Sequence, residues 1–153
     1  MEGIAVRDMT VADIPPVYAI ESQLYLSPWS EITFNHEIHN RDAILQVAVA
    51  DKQIVAYICI RTILDETHVM KVTVLPDYQR RGIGEALLQS AIRNLKEQRP
   101  YVRKLTLEVR ESNLAAIRLY DKMGFRIKGR RKKYYREPDE DAVIMDLISS
   151  SSD

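Results

Sequence analysis

The sequence predicts a mixed α/β (α+β) domain with a central sheet of about seven strands flanked by about four helices. Three observations carry this prediction. Residues 43 to 75 are rich in β-branched side chains, the composition of half-buried strands. After Pro76 the apolar period changes, and Ile83, Leu87, Leu88, Ala91, Ile92 and Leu95 recur at helical spacing. Strand-like alternation returns at Val102, Leu105, Leu107 and Val109, ahead of one more helical stretch and two more strands.

Taken in order, residues 3 to 8 alternate apolar and polar like a short strand. Asp13 before Ile14-Pro15-Pro16 has the form of an N-cap with prolines in the first turn, where the missing N–H is an orphan anyway. That helix runs to about Tyr25. Leu26-Ser27-Pro28-Trp29 breaks it, and Ser30 caps a second short helix through about His39, with Glu31 against the positive end of its dipole. Asp51-Lys52 and the polar stretch Asp65-Glu66-Thr67 divide residues 43 to 75 into three strands joined by tight turns. The long helix ends near Arg99-Pro100, because the residue before a proline is pushed out of the helical region. Val102 to Val109 makes the fifth strand; Asn113 caps a helix carrying Ala116, Ile117, Leu119 and Tyr120, and Gly124 stops it. A strand from Phe125 and a last one from Ala142 to Ile148 complete the order.

The chain has 153 residues, 46% of them hydrophobic and 29% charged, which fits one globular domain over residues 1 to 148 followed by a flexible Ser-rich tail, 149 to 153. Lys plus Arg is 22 and Asp plus Glu is 22, so DNA and membrane surfaces are not the expected partners; those usually demand a basic excess. The first residues, Met-Glu-Gly-Ile-Ala-Val-Arg-Asp, have neither a basic n-region nor an apolar h-region, and the expected location is the cytoplasm. The zero conceals segregation. Seven basic residues (Arg126, Lys128, Arg130, Arg131, Lys132, Lys133, Arg136) precede four acids (Glu137, Asp139, Glu140, Asp141), and Arg80-Arg81 form a second basic focus. Cys59, the single cysteine, lies in an apolar run and reads as a buried small residue rather than a nucleophile.

The most informative segment is Pro76-Asp77-Tyr78-Gln79-Arg80-Arg81-Gly82-Ile83-Gly84, between a strand and the surest helix. Its glycines let backbone N–H groups turn inward, and a helix N-terminus adds partial positive charge; Arg80 and Arg81 add side-chain charge suited to phosphate. There is no Gly-Lys-Ser/Thr, so it is not a Walker A loop, and Leu87 stands where a dinucleotide fingerprint needs its third glycine. A tight strand-to-helix turn without ligand is the competing reading of this segment alone.

Gln79-Arg80-Arg81-Gly82-Ile83-Gly84 fits Gln/Arg-x-x-Gly-x-Gly/Ala, and here the chain resembles the GNAT (Gcn5-related) N-acetyltransferases over about residues 4 to 148. Within that family it is similar to the ribosomal-protein alanine N-acetyltransferases (RimI-like) and related protein N-terminal acetyltransferases. Pro28-Trp29-Ser30, Leu64-Asp65-Glu66, Leu107-Glu108-Val109-Arg110-Glu111-Ser112-Asn113, Ala115-Ala116-Ile117-Arg118-Leu119-Tyr120, Gly124-Phe125 and Glu140-Asp141-Ala142 carry that likeness.

The resemblance implies the GNAT acyl-CoA N-acyltransferase fold, acetyl-CoA as co-substrate without a metal, and a protein or peptide N-terminus, such as that of a ribosomal protein, as acceptor. It implies that the backbone of Val72, Thr73 and Val74 pairs with the pantetheine arm, that Arg80, Arg81, Gly82, Ile83, Gly84 and Glu85 hold the pyrophosphate, and that Asn113 contacts the cofactor. Glu108 takes the role of base, working through a water, and Tyr120 that of the acid which protonates the leaving thiolate. Partial burial at the end of an apolar strand is expected to raise the Glu108 pKa. Without the resemblance, Glu108 reads as a strand glutamate paired with Arg103, Lys104 or Arg110, and Tyr120 as a core tyrosine.

Tyr25, Trp29, Tyr134 and Tyr135 are the candidates for lining a peptide groove, since a tyrosine covers a side chain while hydrogen-bonding backbone; for Trp29 a core plug is the stronger reading. The basic stretch 126 to 136 fits acidic residues beyond the acetylated one, ribosomal RNA, or a solvated hairpin face. A broader-specificity N-terminal or lysine acetyltransferase, a silent acyl-CoA-binding module and an RNA-associated protein are the alternatives. His36 and His39 share a helix at i,i+3 without a clear third ligand, and no metal is expected.

Overall fold

The computed structural model describes residues 3–149. Its elements are β1 (Ile4–Asp8), a 3₁₀ turn (Val11–Asp13), α1 (Ile14–Leu24), α2 (Glu31–Ile38), β2 (Ala43–Ala50), β3 (Gln53–Ile63) and β4 (Glu66–Val74). A second 3₁₀ turn (Pro76–Tyr78), α3 (Ile83–Gln98), β5 (Lys104–Arg110), α4 (Leu114–Lys122), β6 (Arg126–Tyr135) and β7 (Glu140–Ile148) follow. The seven strands form one mixed sheet in the order β1-β2-β3-β4-β5-β7-β6. The chain divides into two compact units, Met1–Thr62 with Met70–Pro100, and Ile63–Val69 with Tyr101–Asp153. β4 thus gives its first residues to the second unit and the rest to the first.

In the first unit, β1, β2 and β3 are antiparallel neighbours. Asp51 and Lys52 both take positive φ, 51° and 66°, so two residues suffice to turn β2 into β3 with the twist of the strands. Met9, Ile14, Val17, Ile20, Phe34, Leu45, Val47, Tyr57 and Cys59 form a buried cluster joining α1, α2, β2 and β3. α3 buries Ile83, Leu87, Leu88, Ala91 and Leu95, the stripe expected from its period, and packs on β1 and β2. Ser30 caps α2 by accepting the Thr33 N–H at 3.1 Å.

Asp13 stands at the N-cap position of α1, ahead of prolines in the first turn as expected, but its side chain makes no cap hydrogen bond to that helix. Its carboxylate accepts from the Thr10 N–H at 2.7 Å and pairs with Arg7, closing the 3₁₀ turn ahead of the helix. Pro15 and Pro16 need no cap for absent donors, which frees the acid for the earlier turn.

The second unit is built on β5. Leu105, Leu107 and Val109 are buried and alternate with half-buried Thr106, Glu108 and Arg110. On one side β5 runs parallel to β4, with Thr67 beside Leu105 and His68 beside Thr106; on the other it pairs antiparallel with β7. The expected polar break at residues 65 to 67 is therefore shorter. Only Leu64 and Asp65 turn, with Leu64 at φ 59°, and Glu66 and Thr67 already belong to β4. The parallel register demands them there, and Thr67 is buried.

Asn113 caps α4 by accepting the Ala116 N–H at 3.2 Å. Gly124 ends that helix at φ +104°, where a Cβ would stand 3.2 Å from Leu147 Cδ1. β6 pairs with β7, and its register shifts between Ile127 and Gly129 and again between Arg131 and Tyr135. At the tail, the Ser149 N–H donates to the Arg103 carbonyl at 2.7 Å, and residues 150 to 153 lie outside the described residues.

Candidate active site

The first unit carries the glycine-containing turn into α3 and the aromatic pair Tyr25 and Trp29. Beyond β4 the chain makes the 3₁₀ turn, Gln79 donates its side-chain amide to the Val74 carbonyl at 3.0 Å, and Arg80 takes φ 63°. Gly82 stands at the N-cap of α3 with φ +79° and offers no side chain to cap it. The first intrahelical bond runs from the Ala86 N–H to the Gly82 carbonyl, and the amides of Ile83 and Gly84 precede it at the positive end of the helix. Arg80 and Arg81 are exposed beside them, and Arg81 lies over the Tyr78 ring at 5.1 Å. Bare helix N–H groups with two guanidinium groups form a cradle that fits a pyrophosphate. Glu85 is the exception in sign, and it accepts from Gln89 at 3.3 Å.

Val72, Thr73 and Val74 follow on the same β4 segment, with Thr73 buried. The Tyr25 hydroxyl bonds the Thr73 hydroxyl at 2.7 Å, and burial pushes the Tyr25 phenol up. Lys71 Nζ sits 4.2 Å from the Tyr25 ring centre and 5.0 Å from that of Trp29, close enough for cation–π attraction. The Trp29 ring packs on Phe34 at 5.3 Å, as a core plug would, and is half-buried. Beneath them is an acid that sequence reasoning did not single out. Glu21, fully buried, accepts from Lys71 Nζ at 2.6 Å, the Trp29 N–H at 2.9 Å and the Tyr57 hydroxyl at 2.5 Å. Nothing in a helical Glu-Ser-Gln marks a carboxylate whose partners come from β3, β4 and the α1–α2 loop.

The second unit carries Glu108, Tyr120, Asn113, Tyr134 and Tyr135. Glu108 does not pair with Arg103, Lys104 or Arg110. Lys104 bridges Glu66 and Asp146, and Arg110 binds Glu140. The partners of Glu108 are His68, whose Nε2 lies 2.5 Å from Oε2, and Arg131, whose Nη1 lies 3.5 Å from Oε1. The expected upward shift of its pKa is overturned: the hydrogen bond from His68 outweighs desolvation and, with Arg131, holds the carboxyl below the ordinary carboxylate value.

Tyr120 is half-buried on α4, with its ring 5.7 Å from that of Phe125. Tyr134 and Tyr135 meet edge to face at 5.0 Å, and Arg131 and Arg110 lie over their respective rings. Burial, with Tyr134 and Glu108 nearby, pushes the Tyr135 phenol up to about 12. The Asn113 amide oxygen is engaged in the α4 cap, so its amide nitrogen is the end left for a ligand. Along β6, Arg126, Arg130 and Arg131 pair with Asp121, Glu111 and Glu108, whereas Lys128, Lys132, Lys133 and Arg136 are exposed.

Elsewhere, the Cys59 thiol is buried and pushed up to about 12 by desolvation, which agrees with a packing role. Among the described residues no group of three His, Cys, Asp or Glu side chains is arranged to hold a metal, and no helix is long and apolar enough to cross a membrane.

The single mixed sheet, with α3 following β4, is the architecture to which the comparisons with known proteins point. The Acetyltransferase (GNAT) family model matches residues 14–125, and the chain belongs to this family of acetyltransferases. The chain is 39% identical over 144 residues to the [ribosomal protein bS18]-alanine N-acetyltransferase of Escherichia coli strain K12, covering 93% of this chain and 95% of that protein. It is 40% identical over 141 residues to the enzyme of that name from Salmonella typhimurium, covering 91% and 93%. The crystal structure of the ribosomal-protein-S18-alanine N-acetyltransferase from Escherichia coli superposes with a TM-score of 0.85 at 36% identity, over 97% of this chain and 96% of that one.

Proposed function

We propose that this acetyltransferase moves the acetyl group of acetyl-CoA to the α-amino group of a protein N-terminus, with the N-terminal alanine of a ribosomal protein as the leading acceptor. Near-full-length similarity to enzymes named for that acceptor carries the reading. Transfer is direct, in a ternary complex. The α-ammonium gives a proton to Glu108 through a water; the freed nitrogen pair attacks the thioester carbonyl carbon; the C–S bond then breaks, Tyr120 protonates the departing thiolate, and the second proton shed by the new amide nitrogen returns through solvent to the Tyr120 phenolate. An α-ammonium has an ordinary pKa of about 8, so a carboxylate held ionised suffices as acceptor at neutral pH, whereas a lysine at about 10.4 demands more.

In this reading the Val72, Thr73 and Val74 backbone pairs with the pantetheine arm, residues 80 to 85 hold the pyrophosphate, and Asn113 adds a cofactor contact. Tyr25, Trp29, Tyr134 and Tyr135 line the acceptor's path. Bare amides at the start of α3 beside Arg80 and Arg81 favour the cofactor assignment on charge grounds. The test follows free thiol as acetyl-CoA meets peptides beginning Ala, Ser or Met, and a blocked peptide containing lysine. Thiol release with the Ala peptide is expected. Release with only the blocked lysine peptide replaces the acceptor by a side chain, and release with none sinks the proposed acceptor.

A further inference from the structure

The contact between His68 and Glu108 joins residues 40 positions apart, and the parallel register of β4 and β5 creates it. His68 lies beside Thr106, and Glu108 is two residues further along β5, so all three side chains project from the same face of the sheet. An ionised carboxylate only accepts hydrogen bonds, so the Nε2 of His68 carries the proton in this contact. The 2.5 Å separation to Oε2 contrasts with the long 3.5 Å approach of Arg131 to Oε1. The Glu108 side chain is 12% exposed, and a carboxylate so enclosed with one firm donor has one oxygen committed and one available.

We infer that His68 is the positioning residue of the transfer reaction: by binding Oε2 it fixes the rotamer of Glu108 and leaves Oε1 to take the proton of the acceptor amine. This rests on the assignment of Glu108 as proton acceptor made above. The histidine gains and loses nothing in the step; the amine N–H bond breaks, its electron pair stays on nitrogen and the proton passes through the water to Oε1. A base displaced by an ångström costs up to about a hundredfold in rate, so the value of the contact lies in geometry.

The experiment compares the full chain with His68→Ala, His68→Gln, Glu108→Gln and the His68→Ala/Glu108→Gln double variant, using acetyl-CoA and an Ala-initiated peptide. His68→Ala is expected to lower kcat about 10- to 100-fold with KM for acetyl-CoA unchanged. Gln, whose amide N–H replaces the imidazole donor, is expected to recover most of the loss, and His68→Ala is expected to add nothing once Glu108 is Gln. Unchanged kcat in His68→Ala beside a collapse in Glu108→Gln overturns this inference alone. Full activity in Glu108→Gln overturns the acceptor assignment and the inference with it. A Gln variant as slow as Ala overturns positioning, since the imidazole itself would then be required. A readout without substrate is the hydrogen-bonded Nε2–H proton resonance of His68, expected in the unaltered chain and lost in Glu108→Gln; its absence from the former overturns the contact.

Discussion

Glu108 is held ionised by a hydrogen bond from His68, so in the proposed reaction it serves as a fixed acceptor rather than as a carboxyl tuned upward by burial. Replacing it with Gln keeps the shape and removes the acceptor; kcat is expected to fall about 10²- to 10⁴-fold, the range of general-base contributions, with KM for acetyl-CoA little changed in steady-state kinetics. Tyr120→Phe keeps the ring on Phe125 and removes only the hydroxyl. If that hydroxyl supplies the thiolate's proton, turnover drops about a hundredfold while the melting temperature holds, and an unchanged turnover strikes Tyr120 from the reaction. Lys71 plays a quieter part, bringing one cation against the Tyr25 and Trp29 rings and neutralising a carboxylate that burial would otherwise penalise.

The turn into α3 makes a demand that only glycine meets cheaply. Gly82 sits at φ +79°, and Ala there is expected to cost about 1 kcal/mol of stability and to raise KM for acetyl-CoA more than KM for peptide, as thermal melts and kinetics with each substrate varied would show. Asn113→Ala removes the α4 cap and is expected to lower stability by about 1 kcal/mol in denaturant titration. Elements of this kind were legible because their signals are local: Ser30 and Asn113 cap the helices read from them, and the period of Ile83 to Leu95 became the buried face of α3. What escaped was lateral. The partners of Glu108 depend on which strand lies beside β5 and in what register, and those of Glu21 on strands that follow it by tens of residues. Asp13 was read correctly in position but not in bonding: a 3₁₀ turn and a helix begin within three residues of one another, and the acid at the N-cap of the helix gives its carboxylate to the turn.

At the scale of the molecule, the neutral sum of 22 against 22 resolves into local pairs whose contributions respond differently to pH. Arg7 and the Thr10 N–H hold the Asp13 carboxyl at about 2, below its ordinary 3.8. Its folded value is depressed, so the stability it supplies is complete above the unfolded value and is lost as the pH falls from there through about 2. Asp13→Asn is expected to lower stability by about 1–2 kcal/mol at neutral pH and to flatten the acid limb of the curve of melting temperature against pH. The family match runs from residue 14 to 125 and so draws on both units, while Glu108 and His68 lie together in one of them. The burial of Cys59 has a practical counterpart. With its only thiol sealed in the core and pushed up to about 12, the folded protein stays silent toward disulfide reagents near neutral pH, so colour developing in such an assay counts coenzyme release and, by its background, the unfolded fraction.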